Sequence, residues 1–335
     1  MSGPGLVSVV VIGRNEGAKL ERCLASVAAM ERDGFAVEVI YVDSGSMDSS
    51  LAIAERSGAV TISLQAARPT AAMGRNAGWR EARGSIVLFL DGDTILDSSF
   101  VIDSVGEFGD RNVAVIWGHR REIHPDRSVY NRVLDLDWVY APGDTPFCGG
   151  DALFRREVLE TTDGFDETLI AGEEPELCRR ILGLGFRILH VDRAMTGHDL
   201  AITRFGQYWR RATRAGYAYV EVSEKFRSTE NPFWLEDSRR NRNRALVLLA
   251  TAGLGVGASV LLLSSWPLVA FVGLLLLLTL RTAYKARWKT ADAVALLLYG
   301  AHSHLQQIPI FVGQMQYRIS RGRGRQRALV EYKRN

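Results

Sequence analysis

The sequence predicts an α/β domain with a mostly parallel sheet, followed by a membrane-associated helical region. Apolar, β-branched runs alternate with helical patterns in the first part of the chain, whereas Ala245 to Leu280 is a run of 36 residues without a formal charge. Charge is divided in the same way, because residues 239–335 carry 15 Lys and Arg against 2 Asp and Glu, a net +13, and residues 1–238 carry −10. A chain of 335 residues is long enough for two domains, and we place the boundary after residue 238.

Strands and helices alternate from the first apolar run onward. A β-branched run such as Val7–Ile12 is typical of a buried strand, and the helix after it presents Leu20, Cys23, Leu24 and Val27 on one face. Repeated β-α units of this kind form parallel sheets, which bind ligands at the carboxyl ends of their strands. The remaining predicted elements are strands at 37–42, 60–64 and 86–90 and helices around Leu51–Ala54 and at 70–83.

Three strand ends carry polar residues, namely Gly13-Arg14-Asn15-Glu16, Asp43-Ser44-Gly45-Ser46 and Asp91-Gly92-Asp93. Two carboxylates beside a glycine suit Mn²⁺ or Mg²⁺, which binds through one or two carboxylates together with substrate phosphates. Asp43 with the Asp-x-Asp triplet therefore suits a nucleoside diphosphate held through metal. The alternative is that Asp43 and Asp48 only shape a turn.

Several other function classes lose support. The chain has neither GxGxxG after its first strand nor GxxxxGK[ST], so the sequence does not favour a dinucleotide oxidoreductase or a P-loop NTPase. Three widely spaced cysteines form neither a disulfide framework nor a CxxC metal cluster, and we expect Cys148 and Cys178 to be packing residues.

Five ordered blocks within roughly residues 6–220 resemble the family 2 glycosyltransferases of the GT-A fold, in particular inverting, membrane-anchored bacterial members. The blocks are Val9–Glu16, Val42–Asp48, Gly74–Gly78, Phe89–Asp93, and Gly164–Glu167 with Gly172–Leu177. The resemblance implies a GT-A, Rossmann-like catalytic domain.

The resemblance also implies roles for individual residues. A nucleotide-sugar donor would be bound by Gly13, Arg14, Asn15, Glu16, Asp43, Ser44, Arg75, Asn76, Asp91 and Gly92. Asp93 would bind a divalent metal, Mn²⁺ or Mg²⁺, with His198 as a further candidate ligand. Glu174, beside Glu173, would be the general base, although the family usually has Glu-Asp at this pair. The alternatives are that Glu173 and Glu174 begin a solvated helix and that His198 is an ordinary loop histidine.

Two further groups are candidates for the acceptor or diphosphate site. They are Gly149, Gly150 and Asp151 in one stretch and Gln207, Arg210 and Arg211 in another. The second stretch has Arg where some family members have the Trp of Gln-x-x-Arg-Trp, so processive polymer synthesis is not predicted. Its arginines could instead form an exposed helix face.

The C-terminal region is predicted to associate with a membrane. The uncharged run gives helices at about 245–264 and 267–284, joined at Ser264–Pro267 as a hairpin, or alternatively a re-entrant one. Basic residues flank it on both sides, which places both ends in the cytoplasm. An interfacial amphipathic helix at about 291–315 and a basic tail containing Arg318, Arg321, Arg323, Arg325 and Arg327 favour an anionic membrane surface over nucleic acid.

Together these features predict an inverting glycosyltransferase at the inner membrane, with its catalytic domain on the cytoplasmic side, since no leader sequence precedes that domain. The expected reaction transfers a sugar from a nucleoside-diphosphate sugar, with UDP as the expected nucleotide, to a lipid-linked or membrane acceptor in polysaccharide or glycolipid synthesis. The alternatives are a polyprenyl-phosphate glycosyltransferase, a nucleotidyltransferase, and a membrane-anchored nucleotide-binding protein without turnover.

Overall fold

The computed structural model describes residues 5–229 and 232–322. The chain divides into two compact units. The first contains the described residues up to Ile123 together with Trp138–Leu200, and the second contains His124–Asp137 and the described residues from Ala201 onward. The predicted boundary after residue 238 separates a catalytic from a membrane-associated region, which is a different division, and it stays a prediction.

A single mixed sheet forms the centre of the first unit. Its strands are β1 (Leu6–Gly13), β2 (Ala36–Asp43), β3 (Val60–Ser63), β4 (Ile86–Asp91), β5 (Thr94–Leu96), β6 (Val113–Glu122), β7 (Gly143–Asp144), β8 (Ala152–Arg155) and β9 (Arg187–His198). They lie in the order β3-β2-β1-β4-β8-β6-β9-β5, with β7 paired to β9. The neighbours β3, β2, β1 and β4 are parallel, which confirms the predicted α/β fold with a mostly parallel sheet.

The second half of the sheet was not anticipated from the sequence. Strand β8 runs antiparallel to both β4 and β6, and β5 pairs antiparallel with the end of β9. These pairings join segments far apart in the chain, such as Thr94 opposite His198. His198 is therefore the last residue of a strand and is buried, so its predicted position in a loop is wrong.

Helices of the first unit cover the sheet. They are α1 (Ala18–Ala28), α2 (Ser50–Arg56), α3 (Ala71–Glu81), α4 (Phe100–Ser104), α6 (Arg156–Thr162) and α7 (Glu173–Gly183), with α5 (Val129–Asp137) belonging to the second unit. The predicted apolar face of α1 is confirmed, because Leu20, Cys23, Leu24 and Val27 are all buried. Strand β1 is at the centre of the core, with Val7, Val9, Val10 and Val11 fully buried.

The second unit is helical. Its longer helices are α8 (Phe205–Lys225), α9 (Leu235–Leu261), α10 (Trp266–Lys285), α11 (Ala293–Leu305) and α12 (Gln307–Gly322). Helices α8 and α12 pack closely, since a Cβ atom added to Gly313 would lie 1.9 Å from the carbonyl oxygen of Thr213. Among the described residues, α9 and α10 are the two helices long and apolar enough to cross a membrane. In the most apolar 18-residue segment of each helix, only 11% and 6% of the residues, respectively, are buried.

The helix bounds differ from the prediction in two places. Helix α9 begins at Leu235, before the apolar run, because Glu236 and Asp237 in its first turn favour a helix N-terminus. The single helix predicted at about 291–315 is two helices that meet at Gln306. Pro309 lacks an N–H for the carbonyl of Leu305, and its ring would clash with that carbonyl, so a continuous helix is disfavoured. Arg323, Arg325 and Arg327 lie outside the described residues.

Candidate active site

The carboxyl ends of β1, β2 and β4 meet at one edge of the sheet. Gly13 lies opposite Asp43 in the β1–β2 pair, and Ile12 lies opposite Asp91 in the β1–β4 pair. The backbone N–H of Gly92 donates to the carbonyl of Ile12 at 2.8 Å, so the third strand end is tied to the first. The three polar strand ends of the sequence are thus neighbours in space.

The loop after β1 is held against the loop after β2 by side chains. Asn15 has a positive φ of 56°, accepts from the N–H of Met47 at 2.7 Å, and donates its own N–H to Ser46 at 2.8 Å. The N–H groups of Glu16 and Gly17 both donate to the buried hydroxyl of Ser50, at 3.1 and 3.0 Å. These bonds fix the shape of the first loop and leave Arg14 exposed.

Asp43 shapes the second loop, as its turn interpretation suggested. One carboxylate oxygen accepts from the N–H groups of Gly45 and Ser46, at 3.0 and 2.8 Å. The other accepts from the hydroxyl of Tyr41 at 3.1 Å. The pKa of Tyr41 is raised by burial and by the charge of Asp43, so the phenol stays a hydrogen-bond donor. The half-buried Ser44 follows at the mouth of this loop.

Asp91, Asp93 and His198 form the cluster that could hold a metal ion. One ligand atom from each residue lies within 4.8 Å of the others, and Nε2 of His198 is 3.3 Å from a carboxylate oxygen of Asp93. Asp93 and His198 are each 5% exposed, whereas the Asp91 side chain is 29% exposed. Within the described residues, Nδ1 of His198 is buried without a hydrogen-bond partner. Two carboxylates and an imidazole are ligands that Mn²⁺ accepts, so the residues present fit a divalent cation.

Arg75 is the centre of a second, adjoining cluster. Its guanidinium contacts a carboxylate oxygen of Asp91 at 2.9 Å, of Glu173 at 2.9 Å and of Glu174 at 3.1 Å. Burial alone would lower the pKa of Arg75, but the charges of Glu174, Asp91 and Glu173 raise it above its ordinary value. One permanently charged cation therefore fixes three carboxylates at the edge of the cleft.

Glu173 and Glu174 begin α7, as one interpretation of the sequence proposed, but they are not solvated. Glu173 is 5% exposed and the side chain of Glu174 is 18% exposed. The pKa of Glu174 is raised to about 7, chiefly by burial. The negative charges of Glu173 and Asp91 also raise this pKa, whereas the positive charge of Arg75 lowers it. A carboxylate with a pKa near neutrality is poised to accept a proton in this pH range.

Asp151 is the buried support of the metal cluster. Its carboxylate accepts from the N–H of Asp91 at 3.0 Å and from the hydroxyl of Thr196 at 2.9 Å, and lies 2.9 Å from a guanidinium nitrogen of Arg120. Burial raises the pKa of Asp151, and the charge of Arg120 opposes that rise. Sequence analysis missed Arg120 and Thr196, because no local pattern marks a lone residue on a strand as part of a site.

Gly150 separates the two clusters. A Cβ atom added there would lie 2.6 Å from Nη2 of Arg75, 3.1 Å from Oδ2 of Asp91 and 3.2 Å from Oε1 of Glu174. At Gly149, an added Cβ would lie 3.2 Å from Nη2 of Arg120. Side chains at these two positions would displace the charged groups, so the glycines make the close assembly possible.

The side-chain amide of Asn76 makes four hydrogen bonds to other residues of the protein. Its amide donates to the carbonyl of Phe165 and to Glu167, both at 2.8 Å, and its oxygen accepts from Trp79 at 2.9 Å and from the N–H of Phe165 at 2.9 Å. For Asn76 to bind the nucleotide-sugar donor, some of these hydrogen bonds would have to break. Its predicted donor-binding role stays a prediction.

The remaining acceptor-site candidates belong to the second unit. Gln207, Arg210 and Arg211 are on α8 in the second unit, and the Gln207 side chain accepts from the N–H groups of Thr203 and Arg204, both at 3.0 Å, at the start of that helix. Cys148 and Cys178 are buried with their sulfur atoms 3.5 Å apart, in agreement with a packing role.

Comparison with known proteins identifies the class of protein that this fold and site define. Residues 8–162 match the family described as glycosyl transferase family 2, and residues 86–284, more than half of the chain, match glycosyl transferase family group 2. The protein is therefore a glycosyltransferase with a GT-A-like fold. It belongs to the family 2 glycosyltransferases.

Relatives and solved structures agree with this assignment. Glycosyltransferase AglE of Haloferax volcanii is 23% identical over 225 residues, covering 64% of this chain and 73% of the relative. The pre-mycofactocin glycosyltransferase of Mycobacterium tuberculosis is 26% identical over 220 residues, covering 59% of this chain but only 44% of the relative.

The fold is also similar to that of solved glycosyltransferases. Mannosyltransferase PcManGT from Pyrobaculum calidifontis, in complex with GDP-Man and Mn²⁺, matches with a TM-score of 0.60 at 22% identity over 94% of this chain and 87% of that one. TarS residues 1–349 from S. aureus, in complex with UDP-GlcNAc, match with a TM-score of 0.50 at 16% identity over 95% and 92% of the two chains.

Proposed function

We propose that this protein moves a sugar from a nucleoside-diphosphate sugar to a lipid-linked or other membrane acceptor, with inversion at the anomeric carbon, in polysaccharide or glycolipid synthesis. The observation that carries the proposal is the joining of two clusters through Asp91. One, with Asp93 and His198, suits a divalent cation, and the other holds Glu174 poised to take a proton. A transferase of this kind needs both functions in one cleft.

We propose that the donor nucleotide binds at the ends of β1 and β2. The residues Gly13 to Glu16 and Asp43 with Ser44 line this edge, and their loops are fixed by hydrogen bonds before any ligand arrives. The carboxylate oxygen of Asp43 that accepts from Tyr41 has one acceptor site left for a ligand, whereas the other oxygen already accepts two N–H bonds. UDP is the expected nucleotide, and the nucleotide sugars present in the PcManGT and TarS structures support a diphosphate-sugar donor without fixing the base.

We propose Asp93 and His198, together with Asp91, as the ligands of a divalent cation, Mn²⁺ or Mg²⁺. The presence of Mn²⁺ in the PcManGT structure supports this assignment. When bound, such a cation neutralises the negative charge that builds on the leaving diphosphate. Asp151 keeps Asp91 in place by accepting its backbone N–H, and Arg120 pairs with the carboxylate of Asp151.

We propose Glu174 as the general base. Arg75 and the start of α7 hold its carboxylate, and its raised pKa lets it accept the proton of an acceptor hydroxyl near neutral pH. The deprotonated oxygen then forms the bond to the anomeric carbon as the bond to the diphosphate breaks on the opposite face. Glu173 acts indirectly, because its charge raises the proton affinity of Glu174.

We propose that α9 and α10 anchor the protein in the inner membrane, with the catalytic domain, residues 1–238, in the cytoplasm. The apolar exposed surface of these helices and the basic residues beside them support the anchor and its orientation. An anchored enzyme acts where a lipid-linked acceptor resides.

The experiment is release of nucleoside diphosphate by the detergent-solubilised protein from UDP-, GDP- and dTDP-sugars, with Mn²⁺, Mg²⁺ or EDTA, in the absence and presence of membrane lipid extract. We expect release from one donor that requires metal and increases with the extract. Absence of release from every donor, with extract and metal present, would contradict the proposal.

Glu174→Gln, compared with Glu167→Gln as a control of equal charge change, tests the acceptor. A hydroxyl acceptor needs the base, so Glu174→Gln should lower kcat by about 10²–10⁴-fold. Full activity of Glu174→Gln would instead favour a phosphate acceptor, such as a polyprenyl phosphate, which needs no base.

A further inference from the structure

A groove of about 960 Å³ lies in the second unit, where α9, α10 and α11 contribute its lining. The charge of this lining is unbalanced, because six cationic side chains face one carboxylate, that of Glu236. The cationic residues are Arg239, Arg240, Arg244, Arg281, Lys285 and Lys289.

Part of the same groove is apolar. Its lining includes Val247, Leu248, Phe271, Leu274, Leu275 and Leu278. The cationic residues of α9 precede its apolar ones, whereas the cationic residues of α10 follow its apolar ones. If the two helices run in opposite directions, their cationic residues lie together at one end of the groove and their apolar residues lie together at the other end.

Contacts between α9 and α10 establish this antiparallel arrangement. The N–H of Leu268 donates to the hydroxyl of Ser259 at 3.2 Å, and a Cβ atom added to Gly255 would lie 3.4 Å from the Cβ of Phe271. Residues with lower numbers on α9 therefore lie level with residues that have higher numbers on α10.

The same register sets the levels of the groove lining. Arg244 comes level with Arg281, and Leu248 comes level with Leu278 about 6 Å further along the hairpin, since an α-helix rises 1.5 Å per residue. The groove consequently has a cationic end and an apolar end, each built from both helices.

Two of the cations are committed within the protein. Lys289 donates to the carbonyl of Leu136 at 2.7 Å, and Arg240 lies 3.7 Å from a carboxylate oxygen of Asp237. For Arg244 and Arg281, residues 5–229 and 232–322 supply no carboxylate within ion-pair distance, and both side chains are exposed. These two arginines are therefore the best placed to bind an anion from outside the chain.

We propose that this groove binds a lipid phosphate monoester, with its phosphate at Arg244 and Arg281 and its hydrocarbon chain along Leu248 and Leu278. A phosphate monoester carries close to two negative charges at neutral pH, and arginine is well suited to bind phosphate with two parallel hydrogen bonds. The apolar side chains that line this part of the groove match the hydrocarbon chain of such a lipid. A free phosphate would use only half of the groove, and an uncharged lipid the other half.

The test uses the full-length protein in phosphatidylcholine vesicles that contain phosphatidic acid with a photoactivatable diazirine in one acyl chain. We expect Arg244→Gln/Arg281→Gln to lower the photolabelling yield by at least about fivefold, because both phosphate contacts are removed. The matched control is Arg242→Gln/Arg287→Gln, which removes the same charge from two arginines of the same region that do not line the groove. Its labelling should change by less than about twofold, since general attraction to the vesicle is screened and diffuse.

An equal loss of photolabelling in the two double variants would overturn the proposal, because Arg244 and Arg281 would then attract the lipid no differently from other basic residues on the surface. Mapping of the label on the unaltered protein gives a second test that does not depend on variant folding. Labelled peptides should show Leu275 and Leu278 modified in preference to Leu276 and Leu277, which do not line the groove. No such preference, or the same pattern with a diazirine phosphatidylcholine, would contradict a specific site. Displacement of the label by equimolar inorganic phosphate would show a free-phosphate site instead.

Discussion

Replacement of Glu173 by Gln should make the proposed base Glu174 more acidic. Both carboxylates contact Nη1 of Arg75, at 2.9 and 3.1 Å, so removal of one negative charge lowers the repulsion felt by the other. The same change leaves Arg75 with one carboxylate fewer, which strengthens its interaction with Glu174. Both effects act in the same direction, toward a lower pKa of Glu174.

The structure bounds the size of this effect. The two carboxylate oxygens share one nitrogen, so they are at most about 6 Å apart, where two like charges repel by about 3 kcal/mol at an effective dielectric constant of about 20. That energy corresponds to about two pKa units. Because the Glu174 side chain is 18% exposed, water reduces the interaction, and we expect the pKa of Glu174 to fall by about one to two units.

The assay is kcat/KM for nucleoside diphosphate release as a function of pH, at saturating metal. Since Glu174 must be deprotonated to act, activity of the unaltered enzyme should fall as the pH is lowered through about 7. In Glu173→Gln this decline should occur about one to two pH units lower, whereas in the charge-matched control Glu167→Gln it should move by less than about 0.3 unit. A decline that stays in place or moves to higher pH in Glu173→Gln would refute the assignment of Glu174.

Three other substitutions test the supporting geometry. Asp93→Ala should abolish transfer and leave the thermal unfolding temperature nearly unchanged; substantial residual metal-dependent activity would contradict its role as a ligand. Gly150→Ala should lower kcat by about 10²-fold, because the new Cβ displaces Arg75 and with it Glu174; kcat close to that of the unaltered enzyme would disprove this packing argument. Ser50→Ala should lower the free energy of unfolding in urea by about 1–3 kcal/mol, since two N–H groups lose their acceptor, and an unchanged value would mean that water replaces the hydroxyl.

The parallel part of the sheet could be predicted from the sequence because its signals are local. The run at Val7–Ile12 and the polar residues at Asp43 and Asp91 follow one another in short β-α units, and strand pairing then brings their ends together. The same locality explains why the apolar face of α1 was predicted correctly.

The antiparallel part could not be predicted because its contacts are distant in sequence. His198 was expected in a loop after Gly197, yet it pairs with Thr94 more than a hundred residues away and so reaches Asp93. Arg120 and Asp151 likewise become partners only when β6, β8 and β9 assemble. Buried ion pairs of this kind are not marked by any periodic pattern in the sequence, so they are found only from the folded structure.

The anomeric configuration of the product tests the central proposal most directly. Once a donor and acceptor have been found, the coupling constant of the product's anomeric proton, measured by NMR, reports whether the configuration of the transferred sugar has changed. A single displacement assisted by Glu174 predicts inversion, so an α-linked donor should give a β-linked product. Retention of configuration would contradict the mechanism, because it requires a different path from the one that Arg75 and Glu174 are arranged to support.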